Sequence, residues 1–324
     1  MLDFNGTNYI EIPSQLYDLN TNSEGEVQAA RLVFLTTIAK NATKQYFVNY
    51  ARSSYPKSYD TNLTITTVNN LYNISNAKYS AWLNMQKGGT LSQLFNKKCD
   101  RNIAGYNPMQ ISPEVEITPL RYGAYQIADA TATIDANGPL LKKITIKEST
   151  GAFDYNLSYY FYANVPFFFI DANIKPRTSD TWSYYTDSYI FLSDGMFSNF
   201  VYYDTSLQSS AVSSGNNPDA ENLGDLNYLG LYHTTNCCAI GEIFLYENSS
   251  KSLTIDNDFY DNASNEYWKR TLFSGDVTQS DYFHSRVARV VFNGANNYND
   301  LNTFFVSFIN PLQYSVGSTP TLDT

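Results

Sequence analysis

Between Leu140 and Lys147 the side chains alternate: Ile144 and Ile146 point one way, Lys143, Thr145 and Lys147 the other. A period of two is the pattern of a strand with one wet face. A turn is expected at Ser149-Thr150-Gly151. Tyr155 to Ile170 is then almost continuously aromatic and β-branched. That run reads as one strand covered on both faces, or as two strands meeting at the Pro166 break. A large sheet is expected around this stretch, residues 138–174.

The rest of the chain repeats the strand pattern. Asn5-Gly6 is a hairpin turn signal between two short strands in residues 2–12. Strands are expected at Leu32–Thr36 and Gln45–Tyr50, then a polar connector at 51–61. From Leu63 onward, strands separated by turn signals recur every eight to twelve residues or so, as at Leu63–Val68, Leu71–Ser75 and Tyr79–Met85, a rhythm that predicts an all-β sandwich. Further strands are read at Glu114–Ile117, Ala124–Ile127, Thr131–Ile134, Tyr184–Phe191, Tyr228–His233, Ala239–Tyr246, Leu253–Ile255, Val287–Phe292 and Phe304–Ile309. Residues 204–226 form a long polar loop that is either disordered or lies over a site. Helix is expected only at Ala263–Leu272, with a single turn at Leu91–Asn96. A single domain over 1–324 is expected, with residues 1–60 as an N-terminal sub-region packed on a main sandwich, 61–324.

Composition narrows the function classes. Hydrophobic residues make up 43% of the 324, enough for a substantial core. Charged residues are only 16%, and 28 tyrosines supply much of the polarity. Such a surface suits an extracellular protein, and sugar binding, because aromatic faces stack on pyranose rings while polar tips bond hydroxyls. The net charge of -10 and the lack of basic runs argue against nucleic acid. No apolar run reaches the roughly 18 residues of a membrane helix. Met1 is followed at once by a strand pattern rather than by a leader. A trimmed chain is expected, or export by another route, as for a virion component. The expected location is extracellular or at a cell or virion surface.

Seven Asn-x-Ser/Thr sequons occur, at Asn5, Asn41, Asn62, Asn73, Asn156, Asn248 and Asn262; of these, Asn41, Asn62, Asn73, Asn248 and Asn262 are the glycosylation candidates. The cysteines are Cys99, Cys237 and Cys238. Their odd number leaves two readings: a bridge from Cys99 to one of the adjacent pair, assigned to Cys237, or three free and partly buried thiols.

A series of short signatures, in order, resembles the C-terminal β-domains of retaining α-mannosidases. They are Ile12-Pro13-Ser14-Gln15-Leu16-Tyr17, Ala30-Arg31-Leu32-Val33-Phe34, Ala39-Lys40-Asn41 leading to Tyr46-Phe47-Val48, Val68-Asn69-Asn70-Leu71-Tyr72 and Gly88-Gly89-Thr90-Leu91-Ser92-Gln93-Leu94. Gly138-Pro139-Leu140 resembles a strand start found there, in polysaccharide lyases and in galactose-mutarotase-like domains. The resemblance covers about residues 10–170. It implies a β-supersandwich, two large antiparallel sheets packed face to face with one or two short helices. It transfers no catalytic residue: the mannosidase metal site and catalytic carboxylate belong to a separate domain. The two histidines here, in YHTTN and FHSRV, do not match the mutarotase contexts.

Candidate chemistry is therefore sparse. His233 reads as a base at a strand end, or as a histidine bonded to a backbone carbonyl. His284 and Arg286 share a strand face; a base beside a carboxylate-neutralising arginine is lyase logic, and a solvated strand pair is the plainer reading. Asp256, Asp258 and Asp261 have the spacing of oxygen ligands for calcium, without the glycine and distal glutamate of an EF-hand loop. Trp182 and Trp268, with Tyr184, are the candidate sugar-stacking residues. A polysaccharide or glycan is the expected partner, bound by an accessory or lyase-type domain. The competing expectation is a structural or adhesive subunit that self-assembles.

Overall fold

The computed structural model describes residues 2–4, 8–39, 42–48, 59–104, 114–118, 120–192, 197–204, 209–214, 223–262 and 265–310. It is an all-β sandwich of antiparallel sheets with one α-helix. The largest sheet has nine strands. In spatial order they are Ala132–Asn137, Leu141–Ser149, Phe153–Tyr162, Phe167–Pro176, Phe283–Val291, Ala239–Ser249, Leu226–Tyr232, Asn199–Asp204 and Ser209–Ser214. The aromatic run thus resolves into two strands, with the break at 163–166.

One face of this sheet packs on two five-stranded sheets through a single core. The first is a meander over 64–104, whose Tyr79 ring lies 5.3 Å from that of Phe168. The second contains Asp180–Leu192 and Asn265–Val277, and its Trp182 stacks on Phe283 at 5.4 Å. Within Leu141–Ser149, Ile144 and Ile146 are fully buried in this core, as alternation predicts. Leu2–Phe4 and Tyr9–Glu11 pair on either side of residues 5–7, which lie outside the described set.

Several expected elements are corrected. Ala263–Leu272 is not helical: residues 265–277 form a strand in which Trp268, Arg270 and Leu272 all face inward. A charged residue among the inward positions hid the period of two. Leu91–Asn96 is likewise strand, and Ala124–Gln126 is a 3-10 turn rather than strand. Leu253–Ile255 has no regular structure. Within the polar stretch 204–226, Ser209–Ser214 is an edge strand; residues 205–208 and 215–222 lie outside the described set. The connector at 51–61 falls mostly outside it too.

Among the described residues the one α-helix is at Asn299–Ile309 (α1), where a strand was expected over Phe304–Ile309. Its apolar positions Leu301, Phe304, Phe305 and Phe308 follow helical spacing. They cover part of the outer face of the nine-stranded sheet, resting on Phe167, Phe169, Tyr203 and Tyr228. Gly230 and Gly241 make room for Leu301, whose methyls would lie 2.7 and 2.6 Å from a Cβ placed there. The hairpin of Ser14–Thr21 and Val27–Phe34 continues this cover. Its Tyr17 and Val33 pack against Ala136, Leu141 and Tyr160. The Gln15 side chain docks it, accepting from the backbone N–H of Leu140 (3.0 Å) and Leu141 (2.9 Å) and donating to the Leu141 carbonyl (3.0 Å). Gly138 lies against it, and a Cβ there would displace the docked Gln15 amide.

Between the two layers lies a charged cluster. Arg289 pairs with Glu242 at 2.9 Å, both fully buried. Arg270 pairs with Asp187 at 3.1 Å and with Glu247. The Trp268 indole and the Ser188 hydroxyl also donate to Glu242, at 3.1 and 2.7 Å. Burial pushes the Asp187 carboxyl up to about 6, the nearby Glu242 and Glu247 adding to it, despite the opposing pull of Arg270.

Candidate functional site

Beyond the helix and the hairpin, the outer face of the nine-stranded sheet is polar. Antiparallel registration lines its side chains up in rows that cross the strands. One row is Thr133, Thr145, Ser158, Asp171, Arg286 and Tyr246. The next is Lys147, Asn156, Asn173, His284 and Asn248. The first row is largely self-satisfied. Asp171 accepts from both Nε and Nη2 of Arg286, and those hydrogen bonds raise the guanidinium pKa. Thr145 donates to Asp135 and exchanges a 3.0 Å hydrogen bond with Ser158.

The second row is the more accessible. Lys147, Asn173 and Asn248 are exposed. The Asn156 Oδ1 and His284 Nε2 atoms are enclosed and have no hydrogen-bond partner within the protein. The Tyr246 ring stands edge-on to His284 at 5.1 Å, and the Tyr282 hydroxyl approaches the Asn248 side chain at 3.5 Å. Tyr246 and Tyr282 are 43% and 44% exposed, so this end of the row offers open aromatic faces.

Two depressions cover the face. One, of about 870 Å³, lies between the Gln15–Leu19 segment and the sheet floor of Thr145, Lys147, Asn156 and Ser158. The other, of about 470 Å³, runs from Lys147 and Asn156 to Asn173, Lys175 and Tyr282. Lys147 and Asn156 line both, so the two adjoin there and together form the trough. On its wall, burial works against the charge of Lys143, but Asp18 at 2.8 Å outweighs it and the amine pKa is raised. The Tyr160 hydroxyl is pushed up by burial and by Asp171.

The residues singled out in the sequence are scattered. His284 and Arg286 lie on the same open sheet face as the trough, but Arg286 is held by Asp171 and is not free to neutralise a substrate carboxylate. His233 is elsewhere: its Nδ1 accepts from the Thr235 N–H at 3.1 Å, and its backbone pairs with Cys238, beside the Ala239 end of the strand whose Asn248 neighbours His284. Nine residues of strand separate the two histidines, about 30 Å.

Trp182 and Trp268 are fully buried and cannot stack on a ligand; both occupy inward positions of long strands rather than loops. Tyr184 is half-buried on the other sheet, donating to Glu114 at 2.6 Å with Lys269 over its ring. Asp256, Asp258 and Asp261 sit in an extended strand, not a loop; Asp256 caps the Gly224 and Asn257 N–H groups, and the Asp261 side chain lies outside the described set. Among the described residues no cluster of three or more metal-ligating side chains occurs. The disulfide joins Cys99 to Cys238, not to Cys237, which is free. Cys237 has a left-handed backbone (φ 61°), and that turn carries its neighbour inward. Asn62 is exposed and bonded to Asn164, whereas the Asn73 side-chain oxygen is buried. Asn5, Asn41 and the Asn262 side chain lie outside the described set.

The residues missed in the sequence are those of the open face: Asn156, Asn173, Lys175, Asp171, Tyr246 and Tyr282. Their signal is only polar outward positions in strands, and which of these share a row depends on register.

No sequence family matches the chain, and no curated protein matches it. Solved structures match in fold. An α-N-acetylgalactosaminidase from Bifidobacterium bifidum, in complex with GalNAc, aligns with a TM-score of 0.53 at 7% identity, over 74% of this chain and 38% of that one. A heparan sulfate lyase from Pedobacter heparinus aligns at 0.44 and 11% identity, over 72% of this chain and 37% of that one. A putative aldose 1-epimerase from Escherichia coli K12 aligns at 0.40 and 7%, over 71% of this chain and all of that one. The chain spans less than half the length of the galactosaminidase and of the lyase. Its β-sandwich fold is thus one also found in a carbohydrate-active enzyme.

Proposed function

We propose that this chain is a carbohydrate-binding β-sandwich, extracellular or at a cell surface, that holds a glycan in the trough on the outer face of its nine-stranded sheet. The observation that carries the reading is the polar row Lys147–Asn156–Asn173–His284–Asn248 across the open sheet face, whose first three members line the trough. Amides and an imidazole both donate and accept, as sugar hydroxyls do. The two open tyrosines at the row's end add stacking surface. A fold shared with a galactosaminidase supports the ligand class, and the Cys99–Cys238 bridge supports an oxidising compartment. Binding is favoured over elimination chemistry because Arg286 is committed to Asp171 and His233 lies far from the trough.

Glycan-array screening followed by calorimetry on the hits tests this. Binding is expected, and Lys147→Ala should weaken it several-fold with unchanged thermal stability. A blank array together with no heat from millimolar polysaccharide would remove the proposal.

A second reading, a subunit of an extracellular assembly, is favoured by one observation. Exposed apolar side chains gather in the N-terminal segment: Tyr9, Ile10, Leu16, Leu19, Val27 and Val48, each near half exposed. Concentration-dependent polymers seen by electron microscopy, abolished by Ile10→Asp, would support it; a monomer at every concentration would eliminate it.

A further inference from the structure

We infer that the trough takes an unbranched, hydroxyl-rich polysaccharide in mid-chain, lying across the strands, rather than a single terminal sugar. The inference rests on the carbohydrate reading above and adds the ligand's length and direction.

Three observations carry it. First, the accessible row is straight and periodic. Lys147, Asn156, Asn173, His284 and Asn248 sit on five successive strands in unbroken register. At roughly 4.8 Å per strand, the row spans about 19 Å, several pyranose rings long. Second, the smaller depression runs across the strands, from Lys147 and Asn156 through Asn173 to Tyr282, and adjoins the larger one at Lys147 and Asn156. A site for one sugar would close around it; this one continues. Third, the row carries one formal charge among four neutral groups that each donate and accept. That is chemistry repeated from strand to strand for a ligand that itself repeats.

The aromatic cover of α1 and the Tyr17 hairpin bound one side of the floor. Asn173, in the middle of the row and exposed, would contact an internal ring of any chain that fills it.

The test is affinity against chain length. Oligomers of one to six rings from β-1,4-glucan, β-1,4-mannan, β-1,4-xylan and β-1,4-galactan are titrated into the whole chain by calorimetry. In the series that binds, affinity is expected to rise at least a hundredfold from one ring and to level off at about four, the length of the floor. Asn173→Ala should cost about tenfold for the longest oligomer, with an unaltered thermal midpoint. A monosaccharide bound as tightly as the hexamer would overturn the mid-chain inference and leave the carbohydrate reading standing. Silence from all four series at every length would overturn the inference, and a blank glycan array besides would overturn the reading beneath it.

Discussion

Cys99 lies in the turn after Thr90–Asn96, and Cys238 immediately precedes the Ala239–Ser249 strand, so their bridge ties the first five-stranded sheet to the nine-stranded one. It closes 139 residues of chain. A loop of that size restricts the unfolded state by an amount on the order of 4–5 kcal/mol in the chain-entropy account. Cys99→Ser is therefore expected to lower unfolding free energy by about 3–5 kcal/mol in non-reducing denaturant titrations. Cys237→Ser should stay within about 0.5 kcal/mol of the parent. An equal effect of both substitutions would mean that the pairing is exchanged in solution. The sequence offers no means of choosing between adjacent cysteines, because the choice depends on a positive-φ turn that it does not announce. The tryptophans failed for a related reason. Trp182 and Trp268 have polar neighbours, and in a strand the immediate neighbours of a buried residue are the ones that face away.

At the level of elements, strands with one wet face were legible because alternation is local. Leu141–Ser149 and the 64–84 meander lie where the pattern puts them. What was not legible was long-range. Helix α1 consists largely of β-favouring residues and is helical because its spacing fits a partner surface more than a hundred residues earlier in part. The trough floor is likewise a product of register between strands far apart in sequence. The hairpin wall depends on one side chain. Gln15 supplies hydrogen bonds that a further strand would otherwise make to Leu140 and Leu141. Gln15→Ala is expected to cost about 2–3 kcal/mol, since it leaves enclosed backbone groups unpaired. It should also make the 22–26 turn a site of rapid proteolytic nicking while α1 stays protected. Unchanged proteolysis would show that Tyr17 and Val33 alone hold the hairpin.

For the molecule as a whole, the cluster between the layers sets the response to acid. Asp187, Glu242 and Glu247 face the guanidiniums of Arg270 and Arg289, and Asp225 lies near enough to feel Arg270 and Glu247. Asp187 titrates near 6 in the native state against about 3.9 unfolded. The native state therefore binds a proton that the unfolded chain does not, and stability grows as pH falls through 6, complete below about 4. Asp281 runs the other way. Burial opposes its charge, but hydrogen bonds from Ser250 and Thr278, with Lys251 nearby, bring it down to about 2, so its contribution is present above about 4 and is lost as pH falls through 2. The thermal midpoint should rise from pH 7.5 to pH 5 and fall again toward pH 2. Asp187→Asn should flatten the first limb only; a midpoint that falls steadily from pH 7.5 would contradict this account.

The position of one strand has a further consequence, for how the chain is made. Phe283–Val291 sits in the middle of the nine-stranded sheet, hydrogen-bonded on one side to Phe167–Pro176 and on the other to Ala239–Ser249. During synthesis the four strands over 132–176 can assemble early, because their pairings are local. Their last member then waits for more than a hundred further residues with an unpaired, aromatic edge facing water. Until the closing strand leaves the ribosome, the nascent chain is two half-sheets with adhesive margins. Its yield in a cell is accordingly governed less by the stability of the finished sandwich than by what guards that edge in the interval.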